Sequence, residues 1–387
     1  MANIEMELET NMLKIISTGT IFEGEKGTDA QSAAFAGICV LPSGRCICGF
    51  RIAPTKGGMV GQRAAITWSD DNCRTWNTPI VPFDPPMING HPGLFRSTAL
   101  TSLGGKSVLA AIYWVDHSNP ELDFFNEETE GLLDSRIFLS RSEDEGETWS
   151  TPELMDTTPF NIPTPITGPI LKLPNGDLAC QFELNKHYYD LSEWHHESIL
   201  MFSKDNGKTW PEHTVASSDP ENRFFYWDQR PSVLSDGTLL DLFWTFDRKE
   251  AAYLNIHARS SSDNGRTWTQ LWDTGVPGQP APAVSLPDGQ IGMVYVDRSA
   301  EPVIKMRTCS DGGKIWPDET EITISDTKVT SQTWNKDTMQ DAWAEMGAFS
   351  IGLPATALLP NGDVLVTYYA GPETNHTGIR WAQVRNQ

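Results

Sequence analysis

Acids, arginines and aromatic residues fall at comparable places along this sequence, each near the end of an apolar run. Glu183 in CQFEL and Asp228 in WDQRP lead as catalytic candidates, with Asp116 and His117 in WVDH, and Asp247, behind them. Glycoside cleavage typically requires two carboxyl groups, one protonated as general acid and one ionised as nucleophile or base. Arg51 in GFRIAP, Arg96, Arg230 and Arg298 in VYVDRS offer planar forks suited to a carboxylate or phosphate. Trp244 and Tyr369 supply flat faces for a sugar ring, and His187 a polar edge. The same residues admit β-elimination from a uronic acid. That reaction needs a cation on the carboxylate and a base for the C5 proton, roles open to Arg51, Arg298, His187, Tyr188 or Tyr369. They also admit binding without turnover. Each has a plainer role available: Glu183 as a solvated strand end, Asp228 as a turn cap, Arg51 as a structural ion pair, His117 and His187 as loop histidines.

The elements that must position these groups are repeats. Five octamers share one template: SDDNCRTW (69–76), SEDEGETW (142–149), SKDNGKTW (203–210), SSDNGRTW (261–268) and CSDGGKIW (309–316). Asp71, Asp144, Asp205, Asp263 and Asp311 take the third place, where a short acceptor side chain can bond nearby N–H groups and form a turn. Glycine at the fifth place permits a positive φ, and Cys73 stands there in the first copy, so that turn is strained or built differently. Six hairpins accompany the octamers: GICVLPSGRCICGF, STALTSLGGKSVLAAIYW, PILKLPNGDLACQFEL, PSVLSDGTLLDLFW, PAVSLPDGQIGMVYV and ATALLPNGDVLVTYY. The spacing predicts an all-β, six-bladed β-propeller of four-stranded antiparallel blades in one domain spanning 1–387. The last blade lacks an octamer, so IISTGTIFEG (15–24) is expected to supply its outer strand and close the ring. In such a ring the starts of first strands and ends of second strands meet around one axis, which is where the candidate residues fall.

The octamers resemble the Asp-boxes of the sialidase superfamily, and the resemblance covers nearly the whole chain. It implies a propeller whose Asp-box aspartates are structural and lie away from the chemistry. It also implies three arginines on a substrate carboxylate, an Asp acid/base in the first blade, and a Tyr activated by a Glu. Carried over by position, the first arginine falls at Ala34 or Phe35, while Arg51 matches a family arginine. The loop APTKGGMVGQR holds no carboxylate for the acid/base role. Asp228 takes the place of the Glu, Trp244 that of the second arginine, and Arg298 that of the third. The Tyr position falls near Gly352 or Leu353. The departures point to an exo-acting glycosidase for a terminal, acidic sugar rather than a standard sialidase; some propellers of this kind are exo-arabinanases that use two acids.

Composition narrows the partners. A formal charge of −22 argues against a phosphate-neutralising groove, so nucleic acid is not expected. The six cysteines form no CxxC pair, and Cys46 and Cys48 suit one buried strand face. Neither metal nor cofactor is expected, and the expected partner is an oligosaccharide or glycoconjugate. The start, MANIEMELETNMLKIISTG, has no basic-then-apolar leader, and no stretch is apolar enough to span a membrane, which places the chain in the cytoplasm unless a leader has been removed. The acidic stretch 121–134 reads as a solvated loop or a lid.

Overall fold

The octamers build the same turn wherever they occur. In the computed structural model, which describes residues 13–325 and 336–387, Asp144 Oδ1 accepts the Thr148 N–H at 2.9 Å and Oδ2 the Thr148 hydroxyl. The Ser142 hydroxyl donates to Asp144 and receives the Gly146 N–H at 2.8 Å. Asp71, Asp205 and Asp263 repeat the pattern with Thr75, Thr209 and Thr267. Gly146, Gly207, Gly265 and Gly313 carry φ of 90°, 84°, 80° and 90° at the fifth place. Cys73 adopts the same left-handed backbone at φ 65°, so the first copy keeps the turn at the cost of side-chain strain.

Burial pushes the Asp144 and Asp263 carboxyls up, but the threonine hydroxyl and N–H bonds more than offset it and hold both at about 2. A depressed carboxyl stabilises the fold above its unfolded value and loses that contribution as pH falls toward the folded one. Asp144→Ala is therefore expected to lower the melting temperature by a few degrees at neutral pH. The gap from the parent should close as pH drops from 3.8 to about 2 in pH-resolved thermal unfolding. A gap that persists at the acid end would place the effect elsewhere.

The strands form four separate antiparallel sheets and one composite sheet, plus the two-stranded ribbon Phe125–Asn126 and Gly131–Leu132. The separate sheets contain the hairpins Gly93–Gly104/Ser107–Asp116, Leu171–Lys172/Leu178–Leu184, Phe224–Val233/Leu239–Asp247 and Val284–Ser285/Ile291–Asp297. In the composite sheet, Ile351–Leu358, Val364–Glu373 and His376–Asn386 are joined to Ser32–Val40, Cys46–Ala53 and Arg63–Ser69. The expected pattern of six separate four-stranded sheets is thus altered where the first and last repeats meet. The join is one parallel pair, Ser32 with Thr377, reinforced by the Thr377 hydroxyl donating to Ala33 O at 2.7 Å. It arises because Leu13–Phe22 pairs antiparallel with His376–Asn386 and then leads at once into Ser32. The first repeat also lacks a full outer strand, keeping only the Ile66–Ile80 bridge. Pro79, Pro82, Pro85 and Pro86 remove the donors such a strand needs.

Apolar side chains between neighbouring sheets form the core, and all six cysteines are buried and free. One α-helix, α1 (Met339–Ala348), interrupts the strands. Thr338 caps it by accepting the Asp341 N–H, while the Asp341 carboxylate takes the Thr338 N–H at 2.9 Å. Its apolar residues recur at Met339, Ala342, Trp343 and Met346, one face of a helix. No described helix is long and apolar enough to cross a membrane.

Candidate functional site

The inner strands carry bulges at corresponding places, and these aim side chains at the axis. Pairing skips between Ala34 and Gly37, Phe95 and Ser97, Trp227 and Arg230, and Gly352 and Ala355. The skipped residues include Phe35, Arg96, Asp228 and Leu353, and three of them have positive φ: Phe35 57°, Asp228 49° and Leu353 43°. A bulge re-aims a side chain, and left-handed backbone at bulky residues is a strain that clusters at functional sites. Arg51, Trp244 and Tyr369 are the cross-strand partners just before three of these bulges. Repeat-equivalent positions therefore present a cation, an indole and a phenol to one place.

Around them lies a group of buried cations. Arg51 is fully buried, and none of its three guanidinium nitrogens has a hydrogen-bond partner among the described residues. The Phe35 ring lies 4.5 Å from it and 5.3 Å from Arg96. Arg96 also reaches Gln62 Oε1 at 3.3 Å and lies 4.5 Å from the Phe124 ring. Arg298 donates to Gln279 Oε1 at 2.9 Å and to Ile351 O at 3.0 Å, with Phe349 3.8 Å away. Lys56 Nζ donates to Met346 O at 2.6 Å and Gly347 O at 3.3 Å. Burial, then the charge of Arg96, holds Arg51 well below the ordinary arginine value. Burial, then Arg51, Arg298 and Arg96, does the same to Lys56. The Tyr369 phenol is pushed up by burial, against the pull of Arg298 and Arg51.

Asp228 stands at the edge of this group. Gln279 Nε2 donates to its Oδ2, and Oδ1 lies 3.6 Å from Arg230. Arg230 is itself bound to the carbonyls of Thr167 and Pro280. Trp244 stacks on Tyr253 at 4.5 Å and lies 6.0 Å from Arg298. An open cleft of about 930 Å³, lined by Trp244, Tyr253, Asp297, Arg298 and Lys336 among others, approaches the cations from the Arg298 side. Arg51, Lys56, Arg96, Arg298, Trp244, Tyr369, Asp228 and Arg230 thus belong to one connected neighbourhood.

The remaining candidates sit apart from it or have other partners. Glu183 is buried with Oε2 3.4 Å from His196 Nε2, and its Oε1 and both His196 ring nitrogens lack hydrogen bonds. Its charge acts on the Tyr113 phenol, which burial pushes up and Arg96 pulls down, so Glu183 approaches the group from the Arg96 side. Asp116 accepts the Ser118 N–H at 2.7 Å and faces exposed His91 at 3.5 Å, closing a turn together with His117, whose N–H bonds Pro92 O. His187 is exposed and bonds Asn161 O. Asp247 is bound by Arg223 at 2.6 Å and 3.0 Å. Asp116, His187 and Asp247 are accounted for by these local partners, whereas the His117 ring keeps a buried Nδ1 with no hydrogen-bond partner among the described residues.

Sequence reasoning missed Lys56, Tyr253, His196 and α1. The loop APTKGGMVGQR, which holds no acid, supplies a cation instead. The capping pattern Thr338-x-x-Asp341 before an apolar face was the signal for α1.

In sequence, no curated protein matches the chain. Among solved structures it is similar to a protein of unknown function from Dyadobacter fermentans, at 18% identity, covering 97% of this chain and 99% of that one with a TM-score of 0.72. It is also similar to the Hadza microbial sialidase Hz136, at 16% identity over 95% of this chain and 68% of that one, TM-score 0.65. A third likeness is the intramolecular trans-sialidase from Ruminococcus gnavus, at 13% identity over 94% and 96%, TM-score 0.60. The BNR repeat-like domain matches residues 116–366, the greater part of the sequence. Octamers, strand pattern and that match agree: the chain belongs to the BNR repeat-like domain family.

Proposed function

We propose that the protein is an exo-acting glycoside hydrolase that removes a terminal acidic sugar. One observation carries this: the Arg51 guanidinium is wholly buried, unpartnered and close to Arg96, Lys56 and Arg298, in a chain whose formal charge is −22. A buried guanidinium without a hydrogen-bond partner among the described residues, as at Arg51, is costly, so it is kept for an anion that arrives as ligand. Asp228 and Glu183 then serve as the carboxyl pair on two sides of the bound ring, with Trp244 and Tyr369 as its platforms. The composite sheet counts in this proposal as two blades joined only at Ser32 and Thr377, giving six blades, with Leu13–Phe22 closing the ring of a single domain.

A panel of aryl glycosides of sialic, uronic and furanose sugars tests the proposal. Release of aryl alcohol from an acidic glycoside, and none from its neutral counterpart, is the expected result. Ultraviolet absorbance from a new double bond on uronate polymers would favour elimination instead. Saturable binding of acidic sugars without turnover would favour a glycan-binding role, for which the Gln279 and Arg230 contacts to Asp228 are the supporting observation.

A further inference from the structure

Helix α1 touches parts of the ring that are far apart. The Trp343 ring stacks on Phe125 at 4.3 Å, and Gln340 Nε2 donates to Glu127 O, both in the insertion after Ser107–Asp116. Met339 and Ala342 pack with Trp227, Trp244 and Phe246 of the sheet holding Asp228. Thr374 donates to Ala348 O at 2.6 Å from the last repeat, and Lys56 donates to Met346 O and Gly347 O from the first. An element that meets four repeats of a ring at once lies across its axis. The carbonyls that Lys56 binds are those at the C-terminal end of α1, where the helix dipole is negative.

We infer that α1 is an anion-dependent cover: an anionic group bound among Arg51, Arg96 and Lys56 is what holds the helix down over the site. The inference rests on the anionic ligand proposed above and adds what that ligand does. With α1 in place, Arg51 and Lys56 are shut away from water beside half-buried Arg96, with no counter-ion among the described residues, which disfavours the covered state. Lifting α1 hydrates the same cations and relieves that penalty. An anion relieves it too, and gains most from the cations when water is excluded, because their field is least screened there. It therefore binds the covered state more tightly than the open one, and only that difference can shift the balance between them. Lys56 is the positioning residue: its ammonium faces the arginines and also grips the end of α1. The consequence for substrates is enclosure, since a chain-end sugar fits beneath α1 while an internal residue of a polymer would hold it open.

The test is hydrogen–deuterium exchange of the peptide covering 339–348, with inorganic sulfate at a few millimolar as probe and ionic strength held constant with chloride. Binding is followed separately by calorimetry. Sulfate should slow exchange in α1 by about tenfold, with little change in the outer strands. In Lys56→Met, sulfate should bind more weakly, and at concentrations that saturate the variant α1 should no longer respond. Trp343→Ala serves if that variant does not fold: α1 should then exchange faster without sulfate, and sulfate should bind more weakly. Sulfate that binds the parent protein while α1 exchange stays unchanged overturns the cover and leaves the anion site standing. Sulfate that does not bind at all overturns both.

Discussion

Replacing Arg51 by Met should give a protein that is harder to unfold and that no longer holds an anionic ligand. The two effects have one origin. Arg51 is fully buried between the Phe35 ring and Arg96, and its guanidinium makes no hydrogen bond. An unpaired buried charge opposes folding, and methionine fills a similar volume without it. Set against the lost cation–π contact, the expected gain is about 1–3 kcal/mol in denaturant unfolding. A bidentate charge-assisted contact to the ligand disappears at the same time. Affinity for an acidic sugar should fall about a hundredfold, equivalent to about 2.7 kcal/mol. Stability that falls by several kcal/mol instead would show that Arg51 is a structural residue, and the case for a ligand-binding cation would go with it.

Asp228→Asn should remove turnover while leaving the fold intact. Asp228 sits at φ 49° in a bulge, and asparagine is among the few residues that tolerate that backbone. The amide can still receive Gln279 Nε2 through its oxygen, so the local geometry survives without the charge. Loss of general acid–base or nucleophilic action should lower kcat on the cleaved glycoside by about a hundredfold or more. Glu183→Gln should do the same, because its carboxyl is buried beside His196 with one oxygen unpartnered among the described residues. Melting temperatures close to the parent's would separate a chemical loss from a folding one. Near-normal turnover in Asp228→Asn would take the chemistry away from this carboxylate and leave the Gln279 bond as its role.

The turns were legible because their chemistry is local. An aspartate reaches a threonine four residues on, and a glycine, or Cys73 under strain, supplies the left-handed residue between them. Alternating apolar runs around Leu-Pro-x-Gly specify hairpins for the same reason, since partners lie within a dozen residues of each other. Arg51, Arg96, Arg298, Trp244 and Tyr369 were legible as candidates because each ends or precedes such a hairpin strand. Their near neighbours Asp116, His187 and Asp247 occupy similar places in the sequence yet have local partners, and the difference lies in bulges and ion pairs that no single repeat specifies.

Local chemistry along the chain specifies a repeated turn-and-hairpin unit and the side chains that unit carries. Long-range packing settles which of those side chains meet, how the first and last repeats share a sheet, and where α1 docks. Lys56 and the carbonyl it binds are 290 residues apart, and Arg298 and Ile351 are 53 apart. Contacts at such separation form only when distant repeats and α1 come together in the folded chain. Burial there is also what holds Arg51 and Lys56 below their ordinary values, because the loss of water arises only once the repeats are in place.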